Sequence, residues 1–129
     1  MFEIEMNGTI YKFNFGIGFM RDADKGIQSK PDQNGVTQNL GMRYMIAGIM
    51  DGDCNKLSEA LLLANKGFVP RLKGNELDAY IDDENTDIDK LFEDVMGFLR
   101  TANATKKMTA YLEKVMKEEE EKQKAQTEK

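Results

Sequence analysis

The sequence contains no histidine, so it lacks the side chain that most often serves as a general base and most often ligates metals. Any acid–base chemistry would have to rest on carboxylates. Those at residues 82–84 and 87 belong to a turn and to the start of a helix, and no apolar residues enclose them in the sequence. We therefore favour a solvated acidic surface over a catalytic pair, and we predict no catalytic residue.

The chain has a single cysteine, Cys54, which precludes an internal disulfide and leaves any metal site without thiolate pairs. It lies on the apolar stripe of a predicted helix, so we predict a buried structural thiol. Two stretches, from Asp51 and from Asp83, open like calcium loops. Both lack the glycine at the sixth position, and the first also lacks the final glutamate, so helix capping explains them better and no metal is predicted.

Nucleotide, nucleic-acid and membrane binding are also disfavoured. Gly16 and Gly18 lack the third glycine of a dinucleotide fingerprint, and no Walker-type motif occurs, so no cofactor is predicted. A net charge of −5 repels phosphate backbones and anionic lipid. No segment approaches the roughly 18 consecutive apolar residues that span a bilayer, and the N-terminus has no signal-peptide pattern, so we expect a cytoplasmic protein.

The first residues predict a β-hairpin. Apolar and acidic residues alternate over residues 2–6, and Asn7-Gly8 then favours a two-residue turn with positive φ values. That turn places Phe2 opposite Phe13, and Glu3 opposite Lys12, where the charges attract. An isolated hairpin is only marginally stable, so its apolar face must cover helices.

Apolar spacing predicts helices over most of the remaining chain, separated by a loop at residues 29–37 that is rich in turn-forming residues. We predict Asp53, Asn75 and Thr105 as N-caps, and Gly67 as a positive-φ terminator. The strongest amphipathic segment follows Thr86, with one stripe from Ile88 to Ala102. The predicted helices cover residues 17–26, 40–50, 54–66, 76–81, 87–102 and 106–116.

These elements predict an α+β fold that is predominantly helical, with the N-terminal β-hairpin packed on a bundle of five or six short helices. Residues 1–116 form one globular domain. Beyond Met116 the only apolar residue is Ala125, so residues 117–129 are expected to be a charged, frayed or disordered tail.

The last predicted helix carries the candidate partner-binding residues. Its stripe either docks on its own domain, which is favoured because monomers seldom expose large apolar patches, or is offered to another protein. Self-association of the chain also stays open. The stripe consists of Met108, Tyr111, Leu112, Val115 and Met116.

Three segments resemble the tail assembly chaperones of long-tailed bacteriophages, particularly those of phages or prophages of Gram-positive hosts. They are the hairpin-to-helix segment at residues 7–25, the segment Arg71-Leu72-Lys73-Gly74-Asn75-Glu76 continuing to residue 82, and residues 87–107. Their order and spacing match the family over most of residues 1–117. Family members often have Pro-Thr after the arginine, whereas Leu72-Lys73 follow Arg71 here.

The resemblance implies a protein that binds the long helical tape-measure protein, keeps it soluble, and helps to recruit tail-tube subunits before leaving the assembly. It implies no catalysis and no cofactor, and it places the protein in the bacterial host cytoplasm and outside the mature virion. A longer form made by ribosomal frameshifting is common in the family. Two rivals remain open, a permanent structural component of the tail and, less favoured, a small enzyme.

Overall fold

The computed structural model describes residues 2–127, and it begins with the predicted hairpin. Strand β1 (Phe2–Met6) pairs antiparallel with β2 (Thr9–Phe13), and the register places Phe2 opposite Phe13 and Glu3 opposite Lys12, as predicted. The turn residues Asn7 and Gly8 have φ values of 51° and 83°. One face of the hairpin is buried, and it contributes Ile4, Met6, Tyr11 and Phe13 to the core.

Within residues 2–127, six helices follow the hairpin, which confirms the predicted α+β, predominantly helical fold. Apolar residues from all but the last helix join the hairpin in one buried core, and α6 adds partly buried side chains to it. The helices are α1 (Ile17–Asp24), α2 (Gly41–Met50), α3 (Cys54–Ala64), α4 (Gly74–Asp82), α5 (Ile88–Thr101) and α6 (Lys106–Thr127).

Helix α2 is central, because it packs against α1, α3, α5 and α6. Its start lies against the end of α1, where a side chain at Gly41 would collide with the carbonyl oxygen of Ala23. The carboxylate of Asp24 accepts a hydrogen bond of 2.9 Å from the backbone N–H of Met42. Asp24 therefore caps α2 from the preceding helix, which fixes how the two helices meet.

Asn65 joins the hairpin, α3 and the segment before α4. Its side chain is fully buried, its amide donates to the carbonyl of Lys12 at 3.0 Å, and its oxygen accepts from the N–H of Leu72 at 2.6 Å. The guanidinium of Arg71 donates to the same oxygen at 2.8 Å and to the carbonyl of Leu62 at 2.8 Å. Backbone groups that no helix or strand satisfies are thus paired by one side chain.

The predicted loop at residues 29–37 lies between α1 and α2, but it is more regular than its composition suggests. The backbone N–H of Ser29 donates to the carbonyl of Gln38 at 2.8 Å, and that of Leu40 donates to Ile27 at 2.8 Å. The side chain of Asp32 accepts from the N–H groups of Asn34 and Val36. The segment is therefore a short hairpin-like arm with an exposed tip.

Two of the predicted caps are correct, and two act differently. Asp53 accepts from the N–H groups at the start of α3, and Gly67 has a φ of 89° after its end, as predicted. Asn75 was predicted wrongly, because α4 begins at Gly74 and Asn75 lies within its first turn. Thr105 precedes α6, but its hydroxyl donates to the carbonyl of Leu99 at 2.8 Å, so it satisfies the end of α5 instead.

Helix α6 continues to Thr127, where the sequence predicted fraying from residue 117. Glutamate and lysine recur at four-residue spacing in this stretch, as in Glu118 with Lys122 and Glu120 with Lys124, and opposite charges at this spacing favour a helix even without apolar contacts. Residues 117–126 are all exposed. Residues 128–129 of the predicted tail lie outside the described residues, and the boundary at residue 116 stays a prediction.

Tyr11 offers a test of how the hairpin meets α4. Its hydroxyl donates to Oε2 of Glu76 at 3.0 Å, and this hydrogen bond, with burial, raises the pKa of Tyr11 above its ordinary value of 10.0. The bond therefore stabilises the fold below pH 10.0 and is lost as the pH rises through the raised pKa. Ultraviolet titration of the protein minus that of Tyr11→Phe isolates this phenol, and a midpoint at or below 10.0 would contradict the contact.

Candidate partner-binding groove

An apolar groove with a volume of about 940 Å³ lies between the end of α2, the start of α3, α5 and α6. Helix α5 supplies half of its apolar lining residues. Ile88, Phe92 and Met96 repeat at four-residue spacing, so they form one row along the helix, beside the fully buried row at residues 91, 95 and 99. The apolar residues lining the groove are Ile49, Met50, Ile88, Phe92, Met96 and Met116.

Methionine contributes half of these apolar side chains. Met50 and Met116 are only partly buried, and so are Ile88 and Phe92, whereas Ile49 and Met96 form the deeper part of the lining. Unbranched methionine adapts its shape to varied apolar partners. The groove is thus a surface that can adjust to an incoming side chain.

An arginine bridge connects the two long helices at one end of the groove. The guanidinium of Arg100 on α5 donates to Glu93 on the same helix at 2.8 Å and to Glu113 on α6 at 3.1 Å. The two carboxylates, Glu113 first, raise the pKa of Arg100 above its ordinary value. Since the group is exposed, we assign the bridge a role in positioning α6 and little stability.

Charged side chains of opposite sign border the rest of the groove. Asp89 lies on α5, whereas Lys114 and Lys117 lie on α6, with Glu120 one turn farther along. Within residues 2–127, Asp89, Lys114 and Lys117 form no ion pair. These three charges are thus free to attract charges on a bound molecule.

The structure separates the five residues predicted to bind a partner. Met108 and Leu112 pack against the core, and Val115 is partly buried. Tyr111 is 53% exposed and lies under the guanidinium of Arg43, 5.7 Å from the ring centre, beside a smaller depression that Met108 also lines. Met116 alone of the five lines the groove.

The prediction of a buried thiol at Cys54 is wrong, because this thiol is exposed. The buried stripe of α3 starts one turn later, at Leu57, whereas Cys54 in the first turn lies outside the core and lines the groove. We expect a thiol-reactive chromophore to modify one cysteine per chain in the folded protein within minutes. Reaction that requires denaturant would contradict this placement.

Helix capping accounts for the two calcium-like stretches. Asp53 caps α3, the carboxylate of Asp83 accepts from the N–H of Asn85 at 2.9 Å, and Asp87 caps α5 through Lys90. Over residues 2–127, no three His, Cys, Asp or Glu side chains are placed to hold a metal ion. In the same part of the chain, no helix is both long and apolar enough to cross a membrane.

Comparison with family models identifies a match to the phage tail assembly chaperone proteins, TAC, over residues 3–114. This chain belongs to that family. The match spans the hairpin, α1 to α5 and the first part of α6, including every groove residue up to Lys114. Met116 and Lys117 lie beyond it. No curated protein and no solved structure matches the chain.

Family membership gives the chain a chaperone role in phage tail assembly, and it confirms the resemblance seen in the sequence. Several residues in the segments that carry that resemblance make structural contacts described above. Arg71 and Leu72 meet Asn65, and Thr105 meets Leu99. These segments of the resemblance thus include contacts that hold the fold together.

Proposed function

We propose that this chaperone binds the tape-measure protein, keeps it soluble, and helps to recruit tail-tube subunits, without catalysing a reaction. It acts in the cytoplasm of the bacterial host during assembly of a long-tailed phage and leaves before the virion is complete. The bound protein is protected because its apolar surface is covered, so no covalent step is needed.

The observation that carries the proposal is the apolar groove in a protein of the tail assembly chaperone family. A long helical protein that waits for its tube exposes apolar stripes, and such stripes aggregate unless they are covered. A groove lined by partly buried methionine, isoleucine and phenylalanine side chains is suited to cover them.

Co-expression tests the proposal. The tape-measure protein encoded in the same phage genome is produced alone, with this chain, and with an unrelated acidic protein of similar size as a control. We expect this chain, and not the control, to increase the soluble yield and to co-purify with the tape-measure protein. An unchanged soluble yield would contradict the proposed function.

Purified virions distinguish this role from that of a structural component. Mass spectrometry should detect the tape-measure and tube proteins in the particles, but not this chain. Its presence there in a fixed ratio to the tube protein would favour a permanent place in the tail.

A further inference from the structure

We propose that the groove between α2, α5 and α6 holds one amphipathic helix of the partner protein. A basic side chain on one flank of that helix's apolar stripe faces Asp89, and acidic side chains on the other flank face Lys114 and Lys117. This inference rests on the proposed function, and it specifies the site and the chemistry of the bound segment.

The shape of the groove fits one face of a helix. Its lining on α5 runs from Ile88 to Arg100, a helical rise of about 18 Å, or roughly three turns. A volume of about 940 Å³ accommodates several side chains, although it is too small for a whole helix. Apolar side chains one turn apart on a partner helix would therefore enter between α5 and α6.

The polar groups argue against a small-molecule ligand. A ligand site presents polar atoms that converge on the bound molecule. Here Arg100 is already paired with Glu93 and Glu113, and no buried side-chain nitrogen or oxygen within residues 2–127 lacks a hydrogen-bond partner. The unpaired charges are on the two edges, where a partner helix places the side chains that flank its apolar stripe.

The edge charges also give the partner helix an orientation. Asp89 on α5 attracts a basic side chain, and Lys114 and Lys117 on α6 attract acidic ones, whereas Glu120 weakens this preference only at the far end. A helix inserted the other way round would place like charges together on both edges. Such pairing is unfavourable and selects against the reversed orientation of the partner helix.

Residues 117–127 cannot fill the groove. Residues 117–127 contain one apolar residue, Ala125, so neither this segment nor that of a second copy supplies side chains to cover Phe92 and Met50. The occupant must therefore bring an apolar stripe that this exposed part of the chain does not have. A helix of the partner protein meets that requirement.

Alkylation of Cys54 reports on occupancy of the groove, because this residue lines the groove and its thiol is exposed. The full chain is mixed with overlapping peptides of about 20 residues, roughly 30 Å as a helix, that cover the tape-measure protein of the same genome. We expect a small set of amphipathic peptides to bind and to slow alkylation severalfold. Their charges should follow the pattern given above.

Two variants on the same helix make the test specific. Met116→Glu places a charge in the groove and should weaken peptide binding about tenfold or more. Tyr111→Glu adds the same charge beside Arg43, away from the groove, and should change binding less than about twofold. Both side chains are partly exposed, so both variants should fold, which circular dichroism checks.

The outcomes separate this inference from the proposed function. If the tape-measure protein binds while Cys54 stays unprotected and Met116→Glu has no effect on binding, the groove is not the binding site and the chaperone role stands. If Cys54 is protected by raising the concentration of this chain alone, the groove is an interface between copies, and the inference fails. If neither the peptides nor the full tape-measure protein binds, both proposals fail.

Discussion

Replacing Asn65 with alanine is expected to lower the free energy of unfolding by about 3 kcal/mol or more. The substitution leaves the buried N–H of Leu72 and the partly buried carbonyl of Lys12 without their partner, and it removes one acceptor of Arg71. An unsatisfied buried group costs about 1–3 kcal/mol, and the side chain serves several such groups at once. Urea unfolding followed by circular dichroism measures the loss.

Asn75→Ala is the matched control for this prediction. Asn75 is exposed in the first turn of α4, and it is not the cap that the sequence suggested. Its substitution should therefore change stability by less than about 0.5 kcal/mol. Similar losses for Asn65→Ala and Asn75→Ala would contradict the assignment of Asn65 as the residue that joins hairpin, α3 and α4.

The second large effect is expected at Gly41, where alanine should destabilise the protein by about 2 kcal/mol or more. A Cβ atom there would lie 1.8 Å from the carbonyl oxygen of Ala23, which belongs to the backbone of α1 and cannot turn aside. The two helices would have to separate, and the hydrogen bond from Met42 to Asp24 would lengthen. Thermal unfolding shows the effect as a lower midpoint.

Gly97→Ala provides the opposite result in the same fold. Gly97 lies inside α5, and a Cβ atom there would meet nothing within 4 Å. Alanine favours a helix over glycine by about 0.5–1 kcal/mol, so this variant should be more stable than the wild type. A stabilising effect at Gly41 would show that α1 and α2 are farther apart than described.

The hairpin and α5 could be predicted because their information is local. Asn7-Gly8 restricts the turn, and the turn sets which residues face each other. In α5 one long stripe gives the helix, and Asp87 caps it. Asn65 could not be found in this way, because its partners at Lys12 and Leu72 are distant in sequence.

The groove was harder to predict because helical periodicity does not distinguish a buried row from a half-buried one. Phe92 and Leu91 belong to the same predicted stripe, but Leu91 is buried in the core whereas Phe92 lines the groove. The stripe on α6 is divided likewise, with Met108 against the core and Met116 in the groove. Which row is covered depends on how α2, α5 and α6 pack.

Cys54 and the end of α6 show two other limits of local reasoning. A residue on an apolar stripe is buried only as far as the core extends, and the first turn of α3 projects beyond it. In α6 the lack of apolar residues suggested disorder, although regularly spaced lysine and glutamate also support a solvated helix.

A titration tests most directly whether this chaperone covers its partner or transforms it. Denatured tape-measure protein is diluted into buffer with increasing amounts of this chain, and the soluble fraction is measured. A protein that acts by covering apolar surface stays bound in the complex. The soluble fraction should therefore rise in proportion to the amount of this chain added, and level off at a fixed molar ratio of this chain to the tape-measure protein. Full solubility at a small fraction of that ratio, with the chain recovered unbound, would contradict the account.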